Sequence, residues 1–211
     1  MIVFWFLLCA VIGYLLGSFN GAILISRWIR GEDIRAKGSG NAGLTNFYRN
    51  YGGLDTLLVL LIDVGKTILA CFIGRAILGA YDFNWRQEGA MFCGGLSVIG
   101  HVFPLYFGFR GGKGILTAGT LAAFVDWRII AILLGVFLLL VLITRYVSLG
   151  SVIACFIYPI LFWWRYPGDD KIMMTILACC LAALACWMHR SNIKRLLAGT
   201  ESKFSIHKKK S

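Results

Sequence analysis

The sequence predicts an all-α, polytopic integral membrane protein of seven transmembrane helices, with its N-terminus outside and its C-terminus in the cytoplasm. Three observations carry that prediction. The 211 residues are 59% hydrophobic with a mean hydropathy of +0.77, richer than the roughly 45–50% apolar content of soluble domains. Apolar runs recur at close to the length of a spanning helix, about 20 residues. The cations between those runs are distributed one-sidedly. A soluble fold of this size could not bury so much apolar surface, and no polar stretch is long enough for a separate soluble module. Residues 1–211 are therefore read as a single membrane domain, a helical bundle over 1–200 and a basic cytoplasmic tail over 201–211.

The first run, 3–25, lacks a basic leader; its first cations, Arg27 and Arg30, come after the apolar residues. That order argues against a cleavable signal and for an outward N-terminus. The second run, 53–80, carries Asp55, Asp63, Lys66 and Arg75. Runs at 89–107, 129–144, 149–164 and 172–187 are plainly apolar. The run at 112–125 is short: its fourteen residues rise only about 21 Å. Were it a re-entrant half-helix, everything after it would invert and the terminal lysines would lie outside.

Charge decides for a full crossing. With seven spans, the inner connectors 27–49, 109–113 and 145–148 and the segment from His189 hold 15 of the 21 Lys and Arg. The outer connectors 81–88, 126–128 and 165–171 hold four, with five of the ten acids. That is the positive-inside pattern. The net charge of +11 thus reads as topology plus an anion site, not as nucleic-acid binding. The seven cysteines all lie in apolar runs and form no CxxC pair; they read as small buried hydrophobes, with no disulfide and no metal site expected.

Four polar segments interrupt the apolar pattern, all on the expected cytoplasmic side. In KGSGNAGLTNFYRNYG (37–52), glycines such as Gly40 let backbone N–H groups turn outward. Ser39, Asn41, Thr45 and Asn46 add uncharged donors, and Arg49 can clamp an oxyanion with two N–H groups. A helix starting near Ala42 would add its dipole. A plain polar loop with an N-cap explains the composition equally well. GHVFPLYFGFRGGKG (100–114) is not a Walker A loop, because Lys113 stands where a second glycine should. Gly108, Gly111, Gly112 and Gly114 beside Arg110 and Lys113 nonetheless suit an anion nest of consecutive N–H groups. His101 reads either as a base or as a structural histidine. In RYVSLGSVIA (145–154), Ser148 and Ser151 flank Gly150 at a span start, as donors or as caps. In MHRSNIKRLLAGTESKF (188–204), His189 and Asn192 share a helix face. Asp63 and Lys66, three apart inside a span, read as an internal ion pair with a structural role.

The converging site is cationic, glycine-lined and next to lipid, which suits an amphiphile bearing phosphate. No H-x-x-x-x-D follows any histidine, and G-x-S-x-G is missing. The reaction would therefore draw on an activated substrate and charge stabilisation rather than a protein nucleophile.

Taken together in order and spacing, GYLLGSFNGAILISR, DIRAKGSGNAGLTNFYRNYG, GHVFPLYFGFRGGKG, SLGSVIA and HRSNIKRLLAGTES resemble the bacterial membrane acyl-phosphate:glycerol-3-phosphate acyltransferases of the PlsY type over nearly the whole chain. The resemblance implies a seven-helix fold in the bacterial inner membrane with a cytoplasmic active site and no cofactor. It implies transfer of a fatty acyl group from acyl phosphate to the 1-hydroxyl of glycerol 3-phosphate, giving lysophosphatidate and phosphate, the first committed step of phospholipid synthesis. A soluble enzyme making acyl phosphate is an implied partner. Ser39, Arg49, His189 and Asn192 match the family's catalytic positions, 108–114 its glycerol-phosphate loop, and Glu201 its structural glutamate. Leu44, Asn20 and Met188 depart from the family pattern of a small residue, a proline and an arginine. The rival reading is a transporter for a phosphorylated solute, whose spans should carry paired polar groups in two related halves; no such halves are evident.

Overall fold

The computed structural model describes residues 1–168 and 170–204. Among these, the regular elements are helical: α1 (Ile2–Gly17), α2 (Gly21–Arg30), α3 (Leu44–Tyr51), α4 (Gly53–Tyr81), α5 (Arg86–Val102), α6 (Ile115–Val125), α7 (Trp127–Thr144), α8 (Val147–Arg165), α9 (Asp170–Met188) and α10 (Arg190–Leu197), with short 3-10 turns between. Six stretches are long and apolar enough to cross a membrane: Ile2–Arg30, Gly53–Tyr81, Phe83–Phe107, Trp127–Thr144, Val147–Arg165 and Lys171–Met188. The expected fourth span is α6, whose 11 residues rise only about 17 Å.

The first expected span is not one helix. It breaks at Ser18–Asn20, where the Ser18 hydroxyl donates to the Tyr14 carbonyl at 2.8 Å and the Asn20 side chain accepts from Ile23 N at 3.0 Å. Asn20 thereby caps a new helix.

The chain divides into two compact units, Met1–Asp126 and Trp127–Ser211. In the first, α1 and α5 run parallel and α4 runs antiparallel to both. Glycines set how closely they approach. A Cβ on Gly17 would strike the Ser97 backbone, one on Gly100 the Tyr14 carbonyl, and one on Gly74 the Gly89 carbonyl. This is the small-residue contact by which helices associate in lipid, where packing replaces hydrophobic drive. The pairing brings the end of α1, the start of α4, the end of α5 and the start of α6 to one end of the unit. A cluster of Ala22, Ile23, Ile34, Ala42, Phe47 and Val59 fixes the 31–52 connector there.

In the second unit α8 packs between α7 and α9. Large side chains such as Leu138, Leu142, Phe156 and Ile176 are exposed, as expected of surfaces solvated by lipid. The bundle does not end at residue 200. Residues 201–204 turn back, so that Glu201 is buried and Phe204 N donates to the Arg145 carbonyl at 2.7 Å. The remainder of the expected tail, including Lys208 to Lys210, lies outside the described residues.

Candidate functional site

The 37–52 connector is folded by Asn46. Its buried side-chain amide donates to the carbonyls of Lys37 (3.1 Å) and Asn41 (3.0 Å) and accepts from Ser39 N (3.0 Å) and Asn50 Nδ2 (3.2 Å). The expectation that Asn46 offers a donor to an anion is corrected: the loop consumes its amide. A helix does begin where expected, at Leu44.

The second glycine-rich segment is anchored the same way. Gly111 N donates to the Val102 carbonyl (3.0 Å) and Gly112 N to the His101 carbonyl (3.1 Å). A nest of consecutive N–H groups open to a ligand is therefore not formed at Gly111 and Gly112. Their lack of a side chain matters instead. A Cβ on Gly111 would collide with the His101 carbonyl, and one on Gly112 with His101 Nε2. Gly108 (φ 67°), Phe109 (φ 58°) and Gly114 (φ 82°) adopt left-handed backbone. At Phe109 that strain, on the order of 1–3 kcal/mol, is held by Phe109 N donating to the Pro104 carbonyl at 2.9 Å.

Three bonds join the 31–52 connector to the second segment, and a fourth ties that connector to Asn20. Ala42 N donates to the Gly111 carbonyl at 3.4 Å. Asn20 Nδ2 donates to the Ala42 carbonyl at 3.1 Å. Arg35 Nη1 donates to the carbonyls of Phe107 (2.6 Å) and Arg110 (3.1 Å). Asp33 holds Arg35 from behind at 2.8 Å, and hydrogen bonding from Arg35 keeps the Asp33 carboxyl well below the ordinary carboxylate range. Nearby, the Tyr51 hydroxyl donates to Glu32 at 2.8 Å; burial, reinforced by that carboxylate, pushes its phenol up to about 12.

The same unit holds a buried polar cluster, in which Asp63 Oδ2 has no hydrogen-bond partner among the described residues. Lys66 Nζ contacts Asp63 Oδ1 (2.7 Å), the Phe19 carbonyl (2.8 Å) and His101 Nδ1 (3.0 Å). Asp63 Oδ1 also accepts from Gly21 N at 3.1 Å. His101 Nδ1 also lies 3.4 Å from Asp63 Oδ1; facing an ammonium, which has three protons and no lone pair, Nδ1 acts as the acceptor. The expected Asp63–Lys66 ion pair is present, and His101 belongs to it.

What the first unit leaves available is specific. Ser39 Oγ, the Asn41 side chain, Thr45 Oγ1 and the exposed Arg49 guanidinium have no hydrogen-bond or ion-pair partner among the described residues. Thr45 and Arg49 lie one turn apart on a single face of α3. An unpaired, bidentate cation beside small hydroxyl and amide donors is built for an oxyanion.

The second unit holds its own knot. Asn192 Nδ2 donates to Ser148 Oγ (2.9 Å) and Glu201 Oε1 (2.7 Å), the Ser148 hydroxyl donates to the same Glu201 oxygen, and Arg195 Nε donates to Glu201 Oε2 (2.7 Å). Burial opposes the Glu201 charge, but the bonds from Ser148, Asn192 and Arg195 outweigh it and lower the carboxyl's pKa. Ser148 is thus spent on Glu201, and Ser151 Oγ on the Val147 carbonyl at 3.0 Å. Both hydroxyls, expected as substrate donors or caps, are bonded within the chain in this fold. Both amide protons of Asn192 are likewise committed. Buried His189 donates from Nδ1 to the Ala185 carbonyl at 2.7 Å.

Comparison with known proteins places this geometry. The family model described as glycerol-3-phosphate acyltransferase matches residues 7–199. The chain belongs to the glycerol-3-phosphate acyltransferase family. A glycerol-3-phosphate acyltransferase of Thermoanaerobacter sp. (strain X514) is 40% identical over 199 residues, covering 93% of this chain and 94% of the relative. One of Prochlorococcus marinus (strain MIT 9313) is 37% identical over 195 residues, covering 92% and 93%. The crystal structure of PlsY (YgiH), an integral membrane glycerol 3-phosphate acyltransferase, in its glycerol 3-phosphate form aligns with a TM-score of 0.82 at 34% identity, over 95% of this chain and 96% of that one. Its lysophosphatidic acid form aligns with a TM-score of 0.80 at the same identity.

For this family member, sequence reasoning missed Arg35 and Asn20. Arg35 reads in the sequence only as one of the connector's cations, although Asp33 two residues before it is a visible partner. Asn20 was noted as a departure from the family's proline; a proline could neither cap α2 through its side chain nor donate to Ala42.

Proposed function

We propose that this chain transfers a fatty acyl group from acyl phosphate to the 1-hydroxyl of sn-glycerol 3-phosphate, giving lysophosphatidate and inorganic phosphate. Family membership supports the reaction. The observation that carries it to particular residues is the unpaired Arg49 guanidinium on the same connector as Ser39, Asn41 and Thr45, a connector bonded to the Gly108–Gly114 loop. Arg49 and Ser39 bind phosphoryl oxygens, and Gly40 gives the backbone room to turn at φ 71°. Arg110 and Lys113 add positive charge. The glycerol hydroxyl oxygen forms a bond to the acyl carbonyl carbon, the bond from that carbon to the phosphate oxygen breaks, and the departing phosphate takes the hydroxyl proton. Positioning and charge stabilisation suffice for an acyl phosphate, which is already activated.

His189 serves the same reaction by orienting substrate, and Asn192 and Glu201 keep the α10 segment folded. The chain is read as one acyltransferase domain. It crosses the bacterial inner membrane seven times, α6 included, with the N-terminus outside and the site on the cytoplasmic face. The concentration of 15 of 21 cations in the connectors assigned to that side supports this topology. Acyl phosphate then arrives from a soluble enzyme in the cytoplasm. The transporter reading is disfavoured because no paired polar groups in two related halves are evident, and Asp63, Lys66 and His101 bond to one another.

Purified protein in detergent, given acyl phosphate and labelled glycerol 3-phosphate, tests the reading. Lysophosphatidate and phosphate in equal amounts are expected. Uptake of label into vesicles with no product would favour a carrier.

A further inference from the structure

We propose that His101 is a positioning residue of the glycerol-phosphate loop, and that Gly112 is required because the His101 ring edge occupies the space where its side chain would be. The proposal rests on the reading of function given above and goes further by assigning roles to a buried histidine and a glycine.

Four observations carry it. His101 is 3% exposed, and Lys66 Nζ holds its Nδ1 at 3.0 Å. Lys66 is itself fixed by Asp63 and by the Phe19 carbonyl, so the ring has one orientation. That orientation puts Nε2 and Cδ2 against Gly112: a Cβ there would overlap Nε2 and stand 3.0 Å from Cδ2 and 2.9 Å from the Ala42 carbonyl. The Gly112 N–H is already bonded to the His101 carbonyl, so this glycine does not offer its N–H to a ligand. Gly112 is thus held against the His101 ring and carbonyl and against the carbonyl of Ala42, in the turn that carries Ser39 to Arg49.

The buried ion pair therefore acts on the site through three links, Lys66 to His101, His101 to Gly112, and Gly112 to Ala42. His101 is not a base in this arrangement. Its Nδ1 is held between Lys66 Nζ at 3.0 Å and Asp63 Oδ1 at 3.4 Å, and its other ring edge faces Gly112. Its work is to set the height of the loop on which Arg110 and Lys113 sit.

The test is a double-mutant cycle between Gly112→Ala and His101→Asn. Asparagine keeps an acceptor for Lys66 but removes the ring edge. In the full-length protein in detergent, Gly112→Ala alone should weaken glycerol 3-phosphate binding, read by calorimetry, by about tenfold, as an added methyl in a packed place does. Its KM should rise in parallel while kcat changes little, a split that mere loss of folded protein would not give. In the His101→Asn background the same glycine substitution should cost roughly threefold or less, the remainder being the Ala42 carbonyl. If Gly112→Ala fails to accumulate, recovery of yield and melting temperature in the double variant reports the same relief. An equal cost in both backgrounds, or no recovery in either, overturns the proposal. Failure of the wild type to make lysophosphatidate would sink the functional reading alone, because coupling in binding and melting temperature needs no turnover.

Discussion

Arg35 donates from Nη1 to the carbonyl oxygen of Phe107 at 2.6 Å, across 72 positions of chain. That bond fastens the glycine-rich loop after α5 to the connector before α3. It takes the fork of an arginine, since Nη1 also reaches the Arg110 carbonyl while Nε and Nη2 hold Asp33.

Arg35→Lys keeps the charge but loses this geometry. Hydrogen bonds to charged groups contribute about 1.5–3 kcal/mol, so the KM for glycerol 3-phosphate should rise by roughly ten- to a hundredfold. Because Arg35 does not meet the reacting atoms, kcat should fall by no more than about threefold. Steady-state kinetics with varied glycerol 3-phosphate check this.

Arg49 differs, since its guanidinium is exposed and unpaired in the fold. Arg49→Lys should leave the melting temperature unchanged and lower kcat/KM by about a hundredfold or more, the loss of a two-pronged clamp on an oxyanion. Thermal unfolding and turnover on one preparation separate these effects. Near-normal turnover would remove Arg49 from the site.

Glu201 predicts a pH dependence. Its carboxyl is held below the ordinary value by Ser148, Asn192 and Arg195, so the unfolded chain binds the proton more readily. The stability it contributes is fully present above the unfolded value, about 4.3, and is lost as pH falls through the lower folded value. Melting temperature should drop over that acidic window in the wild type. Glu201→Gln should be less stable at neutral pH and should lack the drop attributable to this group.

Much of this was legible in the sequence, for a physical reason. Apolar run length reports directly on the lipid environment, so α4, α5, α7, α8 and α9 fall close to their expected places. The start of α3 follows from its glycine-rich approach. The polar residues were harder, because their partners are distant in the chain. Composition cannot distinguish a serine that binds substrate from one that binds Glu201, and Ser148 finds that partner 53 residues away. Asn46 looked like a donor but is spent on its own loop. Gly111 and Gly112 looked like open backbone but are needed for the room they give His101. The break at Ser18–Asn20 was hidden by the apolar residues around it, since hydropathy is blind to a side chain that caps a helix.

The central claim is that the 37–52 and 108–114 segments form one binding place for glycerol 3-phosphate on one side of the membrane. Single substitutions Ser39→Cys and Lys113→Cys, probed with a membrane-impermeant maleimide in sealed vesicles of either orientation and compared with the unsubstituted chain, test it most directly. Both positions should react only from the cytoplasmic side, and glycerol 3-phosphate should protect both at the same concentration. Reaction from opposite sides, or protection of one position alone, would contradict the account.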